Sequence, residues 1–446
     1  MRRSVPAARV SVSPASPPAM IGSRVRLPIP LAFASVAAVI GLALYASATP
    51  SPLYGVYQAR WHFSTPVLTL VYATYALGVL TSLLAIGGLS DQTGRRPVLC
   101  LSLLALLGSM GLYLAASSLA WLFAARALQG LATGAALGAA GAALIELAPA
   151  GDARHAALVN GAASTAGIGA GAFISSLLVE YLPAPRTLPF VLVAALLALL
   201  ALTVSALPEP VLERTPPRLR PQRPAVPAAT RRAFVLAALG VTASWSVGGV
   251  YLALGPGLAG QLLGSHGELA GGIAVAALAG PAGLAQVAGR RLLNRTLTAL
   301  GATLLALGMA LTGASVATGS AAFFLASSAL SGVGFGLAFM GALRHLTGSI
   351  PDGRRGEVMS AFYVVAYLSL SLPAIAAGFA TASLGLSETF EIFSAAVAVL
   401  ACAVALGGLH ISEERVSLAL AAPPDAPRPA RSSNAAAARM LGRDAA

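Results

Sequence analysis

The sequence predicts an all-α membrane protein in which twelve transmembrane helices form two six-helix repeats. Of its 446 residues, 57% are apolar and only 10% are charged, with a mean hydropathy of +0.81. Soluble domains of this length do not reach such values. Stretches of roughly 20 apolar residues, long enough to cross a bilayer core, recur along the chain. Arginines occupy alternate loops, and one pattern returns at a fixed offset.

The first half of the chain consists of a polar tail followed by six apolar stretches. Residues 1–27 hold five Arg among Ser and Pro, which is too polar for the apolar segment of a cleaved signal peptide. We therefore expect a disordered cytoplasmic tail. Residues 28–206 are expected to form an N-terminal six-helix bundle, because Arg, Pro and Gly separate its apolar runs. Its helices are predicted at 28–48, 66–88, 97–116, 119–147, 155–180 and 187–206.

A linker and a second bundle follow. Residues 207–232 are a run rich in Pro and Arg, which can neither bury apolar area nor propagate a helix, so a cytoplasmic linker is expected. Residues 233–410 are expected to form the C-terminal six-helix bundle, and residues 411–446 a second disordered cytoplasmic tail. The helices of this bundle are predicted at 233–254, 268–289, 296–314, 318–345, 357–381 and 388–409.

The two bundles are predicted to be copies of one six-helix unit. Residues 127–130 read Ala-Leu-Gln-Gly, and residues 329–332 read Ala-Leu-Ser-Gly, at an offset of 202. Pro149 recurs as Pro351 at the same offset. A six-plus-six duplication places a pathway at the interface of the repeats, where rocking of the halves exposes it to either side in turn.

The distribution of positive charge predicts the orientation in the membrane. All 28 basic residues are Arg, and 25 of them fall in segments that face the cytoplasm if the N-terminus does. Arg60 and Arg186 are the exceptions outside. This positive-inside pattern predicts a multi-pass protein of the inner (plasma) membrane with both termini in the cytoplasm. The net charge of +13 is thereby explained without nucleic acid, and the expected partners are membrane lipids and a small-molecule substrate of a monomer.

The loop between the second and third helices concentrates turn and charge signals. Residues 87–99 read Gly-Gly-Leu-Ser-Asp-Gln-Thr-Gly-Arg-Arg-Pro-Val-Leu. Gly94 permits a tight turn, and Arg95 and Arg96 hold the loop on the cytoplasmic side. Asp91 is an acceptor close to the expected start of the eleventh helix, whose positive dipole end favours a carboxylate.

This loop resembles the signature G-x-L-x-D-R-x-G-R-R-P-x-L of the major facilitator superfamily, with Gln92 in place of the first Arg. The resemblance implies a twelve-helix transporter in which the loop latches the cytoplasmic side shut. Glu146, at the end of the fourth helix, matches an acidic residue that pairs with the loop Arg in that family, and a local pair with Arg154 is the alternative. The latch residues are expected to be Gly87, Asp91, Gly94, Arg95, Arg96 and Glu146.

The fourth helix carries the charge that lies deepest in a span. Arg126, Gln129, Gly130 and Gly134 resemble the second motif of the superfamily, R-x-x-Q-G-x-x-x-G. A charge inside a span costs roughly 2.5–3.5 kcal/mol on insertion scales, so it needs compensation. Either Gln129 and hydroxyls of the first helix accept hydrogen bonds from it and it serves transport, or it snorkels to the outer interface.

Polar and aromatic residues on the central helices are the candidates for proton coupling or for the pocket. Helix packing is the alternative role for each of them. Together they predict an apolar, aromatic cavity that suits lipophilic or weakly cationic cargo. The candidates are Arg126, Gln129, Asn160, Trp245, Tyr251, Tyr363 and Tyr367.

The predicted function is secondary active transport of a small lipophilic molecule, as proton-coupled efflux. Residues 49–54, Thr-Pro-Ser-Pro-Leu-Tyr, resemble drug-efflux-like members, whereas Ala172 stands where their exporter motif has Pro. A metabolite uptake symporter or facilitator is the alternative, and it would have a more polar pocket. A membrane-embedded enzyme would need converging nucleophile, acid or metal groups, and a receptor would not need the duplication. No catalytic residue, metal or cofactor is expected besides the proton gradient.

Overall fold

The structure is a computed structural model of the chain. It describes residues 27–421 apart from 210, 212–214, 217–220, 222, 265–266 and 352–353. Within them the regular elements are the helices α1 Ile29–Ala48, α2 Tyr54–Trp61, α3 Thr65–Ile86, α4 Leu89–Thr93, α5 Arg95–Leu114, α6 Leu119–Glu146, α7 Ala153–Tyr181, α8 Leu188–Ser205, α9 Arg231–Ala253, α10 Gly255–Leu263, α11 Leu269–Ala288, α12 Asn294–Ala317, α13 Ala321–Thr347, α14 Arg355–Leu384 and α15 Leu386–Ala421, with three short 3₁₀ turns.

Twelve helices in the described residues are long and apolar enough to cross a bilayer. They confirm the predicted fold class. Each begins within a few residues of its predicted start, and all but the last end within a few residues of their predicted ends. Large apolar side chains on their outer faces, such as Leu202 and Leu284, are exposed. In a bilayer this apolar surface contacts lipid tails, whereas in water a large exposed apolar patch promotes aggregation.

The duplication is visible in the helix boundaries. α6 begins at Leu119 and α13 at Ala321, which is an offset of 202. α7 begins at Ala153 and α14 at Arg355, which is the same offset. The repeat also includes the short helices α2 and α10, one after the first span of each half, which were not predicted.

The ends of the described chain differ from the predicted segments. The last helix continues to Ala421, past the predicted bundle boundary at residue 410. Most of the two predicted disordered tails, residues 1–26 and 422–446, lie outside the described residues.

Glycine positions allow helices within each half to touch. A Cβ on Gly130 or Gly134 of α6 would collide with backbone carbonyl oxygens of α3, those of Tyr75 and Val79. Similarly, Gly167 of α7 lies against the backbone of α1. Close approach through small residues is the usual way in which membrane helices gain contact area, because lipid supplies no hydrophobic drive for helix association.

The two halves meet along two pairs of helices, α7 with α11 and α3 with α14. In the first pair, which we call the seam, Ser176 fills the space beside Gly272, and a Cβ on Gly283 would lie 2.7 Å from Thr165 Oγ1. We call the end of the molecule where α1 stops and α11 begins the outer end, after the predicted orientation, and the opposite end the inner end. At the outer end Ser51 Oγ donates to Leu252 O at 2.7 Å, which also joins the halves.

Candidate functional site

The signature loop lies at the inner end and is shaped by Gly94. The loop folds into the short helix α4, and Gly94 then takes φ 107° before α5 begins. This region of backbone conformation is rare for residues with a side chain. A Cβ at Gly94 would also lie 2.6 Å from Glu209 Oε2. The backbone conformation therefore favours glycine here, and a larger residue would also displace the Glu209 carboxylate. Gly87 directly follows α3, in a right-handed helical conformation.

Arg95 is the centre of the predicted latch. Its side chain is 9% exposed, and its Nη1 pairs with Asp91. On the other side Nη2 donates to Glu146 Oε1 at 2.6 Å, and Nε lies 3.2 Å from both Glu146 oxygens. Nη1 also donates to Ser90 Oγ at 2.6 Å. A two-pronged contact of this kind fixes the orientation of the guanidinium as well as supplying energy, so α4, α5 and α6 are tied together.

The structure brings Asp91, Arg95 and Glu146 together within the first half. The Asp91 side chain is 62% exposed. Among the described residues no hydrogen bond or ion pair connects it to α14, the eleventh spanning helix, where the sequence placed its partner. Glu146 pairs with Arg95 rather than with Arg154, and Asp152 instead caps α7 by accepting from the N–H groups of the first turn.

Glu209 is a functional candidate that the sequence analysis missed. It lies in the predicted linker, and its carboxylate accepts from the backbone N–H of Arg95 at 2.8 Å and of Arg96 at 3.1 Å. These are N–H groups that a helix start leaves without partners, and a carboxylate there is favoured by the helix dipole. Glu209 follows α8, the sixth spanning helix, in the segment Leu207-Pro208-Glu209, so the sequence placed a carboxylate at the inner end without indicating its partner.

The buried charge of the first half sits in what we call the tyrosine cage. Arg126 is fully buried, and its guanidinium carbon lies 5.4, 5.7 and 5.4 Å from the ring centres of Tyr54, Tyr72 and Tyr75. Such distances allow cation–π attraction, which is stronger away from water. Nε donates to the Tyr54 hydroxyl at 2.6 Å. Burial raises the pKa of Tyr54, against the lowering effect of Arg126, so the hydroxyl remains a neutral acceptor.

The remaining partners of Arg126 are a carbonyl at the end of α1 and Gln129, which itself donates to that helix end. Nη1 donates to Ser47 O at 2.8 Å and to Gln129 Oε1 at 2.7 Å, and Gln129 Nε2 donates to Ala46 O at 2.8 Å. The last carbonyls of a helix lack intrahelical partners and carry the negative end of its dipole. The carbonyls at the end of α1 therefore stabilise the buried charge of Arg126, as a carboxylate would. No acidic side chain of the described residues pairs with Arg126. Snorkelling is therefore not its arrangement.

Nη2 of Arg126 is buried without a hydrogen-bond partner. Buried donors normally have one, and leaving one unpaired costs about 1–3 kcal/mol. The cage is thus polar, and one of its donors is unsatisfied.

The second half presents a set of rings that we call the aromatic cluster: Trp245 of α9, Phe339 of α13, and Phe362, Tyr363 and Tyr367 of α14. Trp245 lies 5.6 Å from Phe339 and 5.1 Å from Tyr367 between ring centres. Trp245, Phe339 and Tyr363 are partly exposed. Tyr367 packs in the same apolar cluster as Tyr72 and Tyr75 of the first half, so the rings reach the interface between the halves.

Two predicted pocket residues lie apart from this cluster. Tyr251 is fully buried inside the second half, between Phe324 and Phe390, and its hydroxyl is 2.8 Å from Ser328 Oγ. Asn160, on α7, is partly exposed and faces Gly141 of α6. The described structure therefore groups the candidates as a cage around Arg126 and Gln129, a cluster around Trp245, Tyr363 and Tyr367, and two separate residues.

Comparison with known proteins agrees with this architecture. The family model described as Major Facilitator Superfamily matches residues 31–373, which is more than half of the chain. The crystal structure of the human organic anion transporter MFSD10 (TETRAN) is similar to the chain with a TM-score of 0.61 and 18% sequence identity, and the match covers 86% of this chain and 100% of that one. At this identity the likeness shows the fold alone. No curated protein matches the chain significantly in sequence. With twelve spanning helices, the signature loop and the family match, the chain belongs to the major facilitator superfamily and is a membrane transporter rather than an enzyme.

Proposed function

We propose that the protein exports a small lipophilic molecule across the inner membrane by alternating access, in exchange for protons. The observation that supports the cargo class is the aromatic cluster, in which the rings of Trp245, Phe339 and Tyr363 are partly exposed. Ligand pockets lined by aromatic rings gain affinity mainly from apolar area, with a few polar groups to orient the cargo. Trp245 and Tyr363 supply such polar edges through their N–H and O–H groups.

The tyrosine cage favours cargo that carries no positive charge. Arg126 is a positive charge that no carboxylate of the described residues neutralises, close to the interface with the aromatic cluster through Tyr72 and Tyr75. In a medium of low dielectric constant such a charge raises the free energy of a cation far more than in water. We therefore favour uncharged or anionic lipophilic cargo over the weakly cationic cargo that composition allowed. The name of the similar human structure, an organic anion transporter, agrees with this choice.

Protons drive the proposed transport, and its direction is outward. In the described residues the carboxylates Asp91, Glu146, Glu180 and Glu268 lie at the ends of spanning helices and not at their centres. An exchange mechanism would then couple protons to the opening and closing of the ends, and not to a carboxylate in the middle of the pathway. The turn Thr49-Pro50-Ser51-Pro52-Leu53-Tyr54, which resembles that of drug-efflux-like members, favours export.

The test is the accumulation of three fluorescent dyes of similar size, one neutral, one anionic and one cationic, in a bacterium that lacks its major efflux pumps. Producing the protein should lower accumulation of the neutral and anionic dyes more than that of the cationic dye, and a protonophore should abolish the difference. Trp245→Ala should weaken export, because it removes the ring that contacts both Phe339 and Tyr367. Tyr251→Phe is the aromatic control, since that ring is fully buried between Phe324 and Phe390, apart from the aromatic cluster.

Accumulation that rises for a sugar or an organic acid would instead support an uptake symporter or facilitator. Export that survives collapse of the proton gradient would remove the coupling but leave the cargo class standing.

A further inference from the structure

Two glutamates, one from each half, meet at the outer end of the seam. Glu180 is in the last turn of α7, and Glu268 immediately precedes α11. Glu180 Oε2 accepts from the N–H of Leu269 at 3.4 Å. A Cβ on Gly267 would lie 2.5 Å from Glu180 Oε1. The first half therefore contributes a carboxylate to the opening turn of a helix in the second half.

Glu268 is enclosed by further elements at the same place. A Cβ on Gly55, in α2, would lie 3.0 Å from Glu268 Oε1, so this carboxylate is covered by the first half as well. Burial raises the pKa of Glu268 from 4.5 to about 7, and the charge of Glu180 is the second, smaller cause. Among the described residues, no ion pair joins either glutamate to an arginine.

The ionisable groups around this pair can be named for the described residues. α10 and the outer half of α13, which both pack on α11, carry none. Arg60 on α2 forms no ion pair with either glutamate in the described part of the chain, and His266 lies outside it. The described ionisable residues at this end of the molecule, besides Glu268, are Glu180 and Tyr181 of α7, Arg186 in the loop that follows it, Tyr45 of α1, Tyr54, Tyr57 and Arg60 of α2 with His62 after it, Tyr251 of α9, and Glu388 and Glu391 of α15.

We propose that Glu180 and Glu268 form a proton-dependent gate, in which the outer end closes when Glu268 binds a proton and opens when it loses it. Closing removes Glu268 from water and brings two carboxylates together, and both effects penalise the ionised form. A proton on Glu268 removes both penalties. The inference rests on the proposed alternating access, because the gate requires a state in which the halves separate at the outer end.

The sign of the pH dependence follows from linkage. The closed state, with the raised pKa, holds the proton more tightly than an open state in which Glu268 is hydrated, so acid favours closure. With values of about 7 closed and 4.5 open, the closing equilibrium should increase about 70-fold between pH 8 and pH 5. Closure should weaken as the pH rises through about 7.

The experiment measures closure directly, independently of cargo. Spin labels are placed at Ala59→Cys on α2 and Leu263→Cys on α10, both exposed at the outer end, after Cys100 and Cys402 are replaced by Ser. Distances are recorded by double electron–electron resonance on the full-length protein in lipid nanodiscs from pH 5 to pH 8.5. We expect the short-distance population to fall as the pH rises through about 7.

Three variants test the assignment. Glu268→Gln should remain closed throughout the range, because the amide mimics the protonated carboxyl. Glu180→Gln should move the midpoint to lower pH, since one of the two effects on Glu268 is removed. Glu388→Gln is the matched control, because Glu388 is exposed at the same end, on α15, and it should titrate like the wild type.

A closed population that does not change with pH, or a Glu268→Gln variant that titrates like the wild type, would overturn the gate. Absence of flux in proteoliposomes together with a normal titration would contradict the proposed transport function and leave the gate in place.

Discussion

The fourth spanning helix of each half, α6 in the first and α13 in the second, begins at the same point of the repeat but differs in chemistry in its outer half. At the offset of 202, Arg126 and Gln129 of α6 correspond to Ser328 and Ser331 of α13. The first pair donates to the carbonyls that end α1. In the second half Ser328 instead meets the hydroxyl of Tyr251.

The glycines of these helices, in contrast, make the same kind of contact in both halves. Gly130 and Gly332 are also related by the offset of 202, and a Cβ on either would collide with a backbone carbonyl oxygen, of Tyr75 in one half and Leu278 in the other. The repeat has therefore kept the close approach of helix backbones at these glycines. It differs in charge, with Arg126 in one half and the neutral Ser328 in the other. Shape is needed by both halves, whereas a buried guanidinium is needed by one.

The largest expected effect is that of Arg126→Ala. It removes the positive charge and leaves the Ser47 carbonyl without its donor, whereas Gln129 Oε1 keeps only a long hydrogen bond of 3.5 Å from the Tyr113 hydroxyl. At about 1–3 kcal/mol for an unsatisfied buried group, stability should fall. Flux in proteoliposomes should fall to background. Arg126→Lys should recover part of the flux if charge alone matters. Flux of the Ala variant equal to that of the wild type would show that the cage is only a packing element.

The next largest effect should be shared by the two halves. Gly130→Ala and Gly332→Ala each force a helix away from a carbonyl oxygen, and overpacking of this kind typically costs about 1–3 kcal/mol. Thermal unfolding of the purified variants should show similar losses. A loss confined to one variant would mean that the halves differ in packing as well as in charge.

Asp91→Asn and Glu146→Gln test the inner end, where the second half has no copy of the latch because the positions at the offset of 202 are Leu293 and Gly348. Membrane abundance should be normal, since Asp91 is largely exposed and such ion pairs contribute about 0–1 kcal/mol. Flux should decrease, more for Glu146→Gln because it removes the two-pronged contact with Arg95. Normal flux at normal abundance in both variants would eliminate the latch.

The smallest effect is expected for Tyr251→Phe. It removes one hydrogen bond with Ser328 inside the second half, worth about 1 kcal/mol, and keeps the ring between Phe324 and Phe390. Thermal stability should drop slightly while flux stays at the wild-type level. A marked loss of flux would place Tyr251 on the transport pathway, where the sequence analysis had put it.

The fold was predictable because its signals are local or periodic. Apolar length, alternating Arg loops and the offset of 202 give the twelve helices and their duplication. The signature loop likewise pointed to Arg95 and Glu146. What escaped prediction depends on contacts between distant parts of the chain. Nothing near Glu209 indicates that it caps α5.

The aromatic residues show a similar limit. Apolar rings inside spans are alike in sequence, so Tyr251 in the core and Tyr367 at the interface could not be separated. Only the packing of α13 and α14 around them decides which ring lies where.

The carboxylate of Glu209 has a consequence for how the chain can be divided. It belongs by sequence to the segment that joins the bundles, yet it completes the start of α5 in the first one. If the two bundles are made as separate polypeptides, a first fragment that stops at Ser205 lacks this cap, whereas one that stops at residue 216 retains it. The stretch that joins the two copies of the ancestral unit has thus become part of the folding unit of one copy, and any split version of the transporter must respect that boundary.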